Sequence, residues 1–344
     1  MFRAIILLLA VVFSAKSLAY TAGVMEKEYQ DANRTRTLQL YIWYPSDSNA
    51  PPTILGERPV FEGFKAVKDA PFATGKFPLI VLSHGSGGNR SSLSWLATRL
   101  VQQGTIVIAL NHPGSTTGNS IPSENIKAWE RPRDVTFVID KVLATPEFAR
   151  IIDAGRIAVI GHSLGGYTAL ATVGASLKLD AFKRYCSVFP LHADCEFNRI
   201  GKVGPESVDR NMFEGNYLDK RVSAAVAITP AYARSFDEQQ LEQISRSVLI
   251  IGATADQEIP NDLHAKYLAA RIHGKKVFTE IEGAGHYGFL PLCKPNALSI
   301  LEEEGEMKIC LDPVDKKRNR VHQETARKVQ GFLKQLGFIS ENKR

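Results

Sequence analysis

The stretch Ile157-Ala158-Val159-Ile160-Gly161-His162-Ser163-Leu164-Gly165-Gly166-Tyr167-Thr168-Ala169-Leu170 decides how the rest of the chain reads. Its first four residues are apolar and have the composition of a buried strand. Gly161-His162-Ser163-Leu164-Gly165 follows as a sharp turn, and the small and apolar residues from Gly166 to Val173 read as a packed helix. A strand, a G-x-S-x-G turn and a helix in that order make a nucleophile elbow. Such a turn holds its serine in a strained backbone conformation, and glycines flank it because side chains there would collide with the neighbouring strand and helix. Ser163 Oγ is therefore expected to be presented to a substrate. The helix N-terminus, with free N–H groups and a partial positive charge, is expected to point where an oxyanion would form.

Around this stretch the 344 residues are 44% hydrophobic and 23% charged, the composition of an ordinary globular protein. No repeat, low-complexity tract or Pro/Ser-rich linker divides them, so residues 20–344 read as a single domain. Residues 1–19 stand apart: Arg3 precedes the apolar run 4–13, and Ser17-Leu18-Ala19 offers a small-x-small cleavage site. The expectation is a signal peptide and export, periplasmic or secreted, after cleavage near Ala19. The apolar run is short for a membrane span, and no later stretch is long enough, so no stable membrane insertion is expected.

The net charge of +6 is a mild basic excess. Its densest cluster, Lys316-Lys317-Arg318-Asn319-Arg320, follows the acidic run 302–306 and carries no interleaved aromatic residues that could stack bases. Solvated surface is the expectation, without nucleic-acid binding. The four cysteines allow three pairings, of which Cys186–Cys195 and Cys293–Cys310 are the local ones. Each would tie a segment with no sustained period, where a covalent link is most useful in an oxidising compartment.

Strands and helices alternate along the chain, which argues for parallel crossovers. Residues 37–44 alternate polar and apolar side chains as an antiparallel edge strand would, and 46–76 read as loop with at most one short helix. Residues 77–82 form a buried strand that runs into Ser83-His84-Gly85-Ser86-Gly87-Gly88-Asn89. A helix over 93–103, a strand over 105–110 and a helix from Arg131 to about Leu143 come next. After the elbow, residues 178–221 show no period and read as a lid-like insertion or pocket wall. Strands over 222–228, 248–252 and 277–281 complete the sheet, 289–320 form a second irregular excursion, and 321–336 form the terminal helix.

Three chemically capable groups thereby fall at C-terminal ends of parallel strands: Ser163, Asp256 and His286. Serine needs a base within hydrogen-bond reach. His286, in a Gly-flanked loop, would accept the Ser163 proton and return it to the leaving group, and Asp256 would fix its tautomer. His84, His112 and His162 are alternative bases; His162 is expected to point away from the substrate and His84 to brace its own loop. Asp262 and Glu258 are alternative acids. The oxyanion would be met by the backbone N–H groups of Leu164 and Ser86, each worth on the order of 3 kcal/mol. No zinc-ligand, dinucleotide or phosphate-binding motif occurs, so no cofactor and no metal are inferred.

These residues, with Trp43-Tyr44-Pro45, His112-Pro113-Gly114, Arg131-Pro132-Arg133-Asp134 and Ile259-Pro260, resemble the α/β-hydrolase superfamily over roughly residues 38–286. Within it they are similar to the dienelactone-hydrolase-like and platelet-activating-factor acetylhydrolase-like branch. The resemblance implies an α/β fold with a mostly parallel eight-stranded sheet flanked by helices, and hydrolysis of carboxylic esters. Dienelactone hydrolases proper carry a cysteine where this chain has Ser163, so the likeness is to the serine esterases of the branch. The expected activity is cleavage of short or medium acyl esters through an acyl-serine intermediate, with a small-molecule ester as partner. A serine peptidase or amidase, an acyltransferase, and a binding module without catalysis are the competing readings, and the oligomeric state is left open.

Overall fold

The computed structural model describes residues 19–313 and 317–340. The signal peptide expected over 1–19 lies, but for Ala19, outside the described residues. In chain order the strands are β1 (Thr21–Asp31), β2 (Arg36–Ser46), β3 (Thr53–Leu55), β4 (Phe64–Lys68), β5 (Phe77–Ser83) and β6 (Ile106–Leu110). They continue as β7 (Ser115–Thr116), β8 (Asn119–Ser120), β9 (Ile152–His162), β10 (Val222–Ile228), β11 (Ser247–Ala253) and β12 (Lys276–Ile281). Among the described residues, ten of these form one sheet in the order β12-β11-β10-β9-β5-β6-β2-β1-β4-β3, while β7 and β8 pair separately.

The six strands from β6 to β12 across the sheet centre are parallel, with β5 between β6 and β9. Their near-continuous apolar sequences follow from burial on both faces. Alternation sorts their side chains into two layers. Leu79 and Val81 join the layer under helices Glu130–Ala144 and Leu164–Thr172, whereas Ile80 and Leu82 face helices Ser94–Val101 and Arg318–Gln335. Every strand end that carries chemistry therefore opens on the same edge of a rigid, doubly covered sheet.

The sheet has ten strands rather than eight. β2 is not an edge strand: it pairs with β6 on one side and along its whole length with β1 on the other. β1 escapes a sequence reading because Glu26, Lys27 and Glu28 interrupt its apolar pattern, and its partner rather than its own hydrophobicity holds it in place. β3 and β4, within the segment expected to be loop, are three and five residues long and take their register from each other and from β1.

Residues 178–221 also differ from expectation, since they hold helices Leu179–Val188 and Ala193–Ile200. Leu179, Phe182 and Tyr185 recur every third residue and are buried, but the exposed charges Lys183 and Arg184 between them hide the period. The Cys186–Cys195 bridge joins the two helices, and Cys293–Cys310 closes the excursion after β12, which contains helix Ala297–Glu303. Both local pairings expected from the sequence are the ones the structure contains. Among the described residues no helix is long and apolar enough to cross a membrane.

Candidate active site

Ser163 follows the last residue of β9 and precedes the helix Leu164–Thr172, with φ 56° and ψ −120°. This left-handed conformation costs a non-glycine residue about 1–3 kcal/mol and persists only when its surroundings enforce it. Here the Ser163 N–H donates to the Ile228 carbonyl at 2.9 Å, and its own carbonyl accepts from Gly166 and Ala231 at 2.8 and 3.0 Å. Gly161 and Gly165 are required by close approach: a Cβ on the first would run into the Gly165 backbone, and one on the second into the Ser83 carbonyl.

His286 begins the turn after β12, and Asp256 lies in the loop after β11. His286 Nδ1 donates to Asp256 Oδ2 at 2.7 Å, which leaves Nε2 to accept the Ser163 hydroxyl at 3.1 Å. The other Asp256 oxygen accepts the backbone N–H groups of Glu258 and Ile259 at 3.0 and 2.8 Å, so the carboxylate cannot swing away. Burial disfavours the imidazolium at His286, but the Asp256 carboxylate and its hydrogen bond outweigh that cost and hold the pKa above the ordinary histidine value of 6.5. The structure thus brings together the three residues that the sequence singled out.

The alternative candidates have other partners. His84 Nδ1 donates to the Gly85 carbonyl at 2.6 Å, leaving Nε2 to accept the His112 N–H at 3.1 Å. His112 Nδ1 donates to Asp134 at 3.0 Å and Nε2 accepts from Ser83 Oγ at 2.9 Å. Both rings are buried neutral bases that brace the loop after β5, and burial lowers both pKa values. Asp262 faces solvent and pairs with Lys266, and Glu258 pairs with Lys308. His162 Nε2 donates to the His286 carbonyl at 3.1 Å. Together with Trp95, which donates to the Phe289 carbonyl, and His322, which donates to that of Leu290, it pins the turn that carries the base. This pinning by Trp95 and His322 has no local sequence signal, because both residues are distant in the chain.

The loop after β5 lies against the serine: a Cβ on Gly85 would come within 3.2 Å of Ser163 Cβ. Ser86 follows on that loop, and Leu164 is the first residue of the elbow helix, a position whose N–H has no intrahelical acceptor. The serine opens into a cavity of about 650 Å³. One wall is the segment 56–62, with Phe61; a second is helix Ala193–Ile200, with Phe197 and Ile200; a third, with Leu290, Leu301 and Ile309, belongs to the disulfide-closed excursion. The wall at 56–62 leaves no signal in the sequence, because it is held by strand-like pairing of Phe61 with Cys293, a contact no local pattern announces.

An elbow serine hydrogen-bonded to a histidine that is oriented by a carboxylate, at the C-terminal edge of a mostly parallel sheet, defines the α/β-hydrolase class. The chain belongs to the alpha/beta hydrolase family, whose model matches residues 80–292. It is 26% identical to cutinase est2 of Thermobifida alba over 212 residues, covering 60% of this chain and 52% of that protein. It is also 27% identical to the platelet-activating factor acetylhydrolase of Cavia porcellus, with 30% of this chain and 34% of that protein covered. The chain therefore spans about half the length of the first relative and a third of the second. A ferulic acid esterase from Streptomyces cinnamoneus shares the fold, with a TM-score of 0.62 and 21% identity over 94% of this chain and 92% of that one. The family resemblance read from the sequence is borne out.

Proposed function

We propose that this protein is an exported serine hydrolase that cleaves carboxylic esters through an acyl-Ser163 intermediate. The observation that carries the proposal is the continuous hydrogen-bond path that starts at Ser163 Oγ, on a strained elbow lining a cavity, and runs through His286 to Asp256. Ser163 Oγ attacks the ester carbonyl and passes its proton to His286 Nε2; the Leu164 and Ser86 N–H groups receive the oxyanion. Collapse breaks the bond to the alkoxy group, which leaves as the alcohol with the His286 proton. Water then repeats the sequence on the acyl-enzyme and releases the acid. Asp256 holds the ring and stabilises the imidazolium.

A cavity of about 650 Å³ with aromatic and aliphatic walls suits a short or medium acyl group, aliphatic or aryl. That reading agrees with relatives named as a cutinase and an acetylhydrolase and with a structural neighbour named as a ferulic acid esterase. In this proposal residues 20–344 act as one domain, helices Leu179–Val188 and Ala193–Ile200 serve as a lid or pocket wall, and residues 1–19 serve as the export signal. Two disulfides and no free cysteine among the described residues accord with an oxidising compartment.

The test is fluorophosphonate labelling with peptide mapping, alongside turnover of 4-nitrophenyl esters graded by acyl length. Label on Ser163 and turnover that falls roughly a thousandfold or more in Ser163→Ala are expected. Unchanged turnover in Ser163→Ala would overturn the mechanism.

A further inference from the structure

Arg131 opens the sequence Arg131-Pro132-Arg133-Asp134 near the start of helix Glu130–Ala144, yet the reaction described above does not use it. It is 2% exposed, and among the described residues no carboxylate lies within ion-pair distance of its guanidinium. Asp134, one turn along, is occupied by Arg34, Arg36 and His112. Sequestering a cation without a contacting anion is costly, so its retention calls for a role that neutral packing would not fill. Its hydrogen bonds indicate that role. They run to three segments: the end of β5 with the loop that follows it, β7 at Ser115, and the helix that begins at Leu164.

Toward the loop, Nη2 donates to the His84 carbonyl, and Nη1 donates to Ser115 Oγ at 2.9 Å. Ser115 Oγ in turn donates to Asn125 Oδ1 at 2.5 Å, and the same oxygen accepts Ser86 Oγ at 2.9 Å. Toward the helix, Nε donates to Thr168 Oγ1 at 3.2 Å, and that hydroxyl donates to the Leu164 carbonyl at 3.0 Å. The rigid fork of one guanidinium thus spans the two chain segments whose N–H groups are assigned to the oxyanion, Ser86 on one and Leu164 on the other.

We propose that Arg131, with Ser115 and Asn125 as its relay to Ser86, is a positioning residue that sets the spacing between the two oxyanion donors and places a buried positive charge beneath them. Donor placement matters in the transition state and little in the ground state, because the carbonyl oxygen gains its charge only as the tetrahedral intermediate forms. Lysine at position 131 would keep a charge but lose the fork, reaching one arm and not both.

This inference rests on the proposed Ser163 chemistry, and the experiment separates the two. Full-length Arg131→Lys, Asn125→Ala and, as a control on the same helix, Arg133→Lys are compared with wild type on 4-nitrophenyl butyrate. Each is also titrated with a trifluoromethyl ketone, which forms a tetrahedral oxyanion on the serine, and with butyrate as a ground-state ligand. The expected result for Arg131→Lys is a fall in kcat of at least about tenfold with KM nearly unchanged. Its trifluoromethyl ketone affinity should weaken by a similar factor, and its butyrate affinity should stay within about twofold. Asn125→Ala should move in the same direction by less, and Arg133→Lys should match wild type. Should Arg131→Lys fail to fold, Asn125→Ala decides alone by the same split. Wild-type kcat and ketone affinity in Arg131→Lys or Asn125→Ala, whether or not the melting temperature falls, would reduce this network to structural support and overturn the proposal. Persistent turnover in Ser163→Ala would instead overturn the underlying reaction.

Discussion

At His286 two opposing effects meet, and their balance sets a measurable pH dependence. Burial disfavours its charged form, while Asp256 at 2.7 Å favours it more strongly, so the folded-state pKa lies above 6.5. The imidazole must be neutral to accept the Ser163 proton, and kcat/KM is therefore expected to rise with pH and level off beyond an inflection above 6.5. Asp256→Asn removes the negative charge, so the inflection should move to lower pH while the plateau falls by roughly three to four orders of magnitude through loss of the correct tautomer. Stopped assays across pH 5–9 on both forms check this; an inflection that stayed in place in Asp256→Asn would show that another group titrates. The acid itself was legible in the sequence as one of three carboxylates. The sequence put Asp256 first among them, and the structure adds the Asx turn that binds one oxygen to Glu258 and Ile259 and leaves the other for the ring.

At the scale of elements, helices Leu179–Val188 and Ala193–Ile200 are joined by Cys186–Cys195, and only the second lines the cavity, through Phe197 and Ile200. The bridge spans a sequence separation of nine residues, for which the chain-entropy view gives about 2.5 kcal/mol of stabilisation. Ser163 is held by β9, β10 and the elbow helix, none of which belongs to this pair. Mild reduction is therefore expected to loosen the wall, raising KM at least about twofold or shifting acyl-length preference, while a small fluorophosphonate still labels Ser163. Loss of labelling on reduction would show instead that the bridges support the elbow. The elements in this region leave no clear period in the sequence because their apolar positions are diluted by surface charge. The elbow, with its apolar strand and small-residue helix, had no such dilution.

Over the whole molecule, burial leaves several histidines neutral that would be protonated in the unfolded chain at mildly acidic pH. His84, His112 and His162 have pKa values well below 6.5, with burial the leading cause at each, and His322 is pushed down to about 3. For a base whose pKa is depressed on folding, the unfolded state binds more protons below the unfolded value, so stability is fully present above 6.5 and is lost as pH falls beneath it. Each such ring contributes a slope of roughly 1.4 kcal/mol per pH unit in that range. His286 acts in the opposite sense, its contribution being lost as pH rises through its raised value, but it is one ring against five, His192 being lowered by burial as well. The melting temperature should consequently drop by several degrees or more between pH 7 and pH 5, and a pH-independent value by calorimetry would contradict this account. The amino-acid sequence by itself determined the alternation of buried strands and helices, the elbow and the Ser163, Asp256 and His286 candidates, and among three possible cysteine pairings it favoured the local one. All of these are local patterns: apolar runs ended by glycines, or reactive side chains at strand ends. Only the tertiary structure decided what depends on contacts between distant segments. It pairs β1 with β2 and adds β3 and β4 beyond them, builds the cavity wall at 56–62 by pairing Phe61 with Cys293, and lets Trp95 and His322 pin the His286 turn. It also turns Arg131 from an early helical residue into a link between the loop after β5 and the elbow helix. The physical reason is that a hydrogen bond between side chains far apart in the chain leaves no periodicity in either segment, whereas burial of a strand or a helix face does.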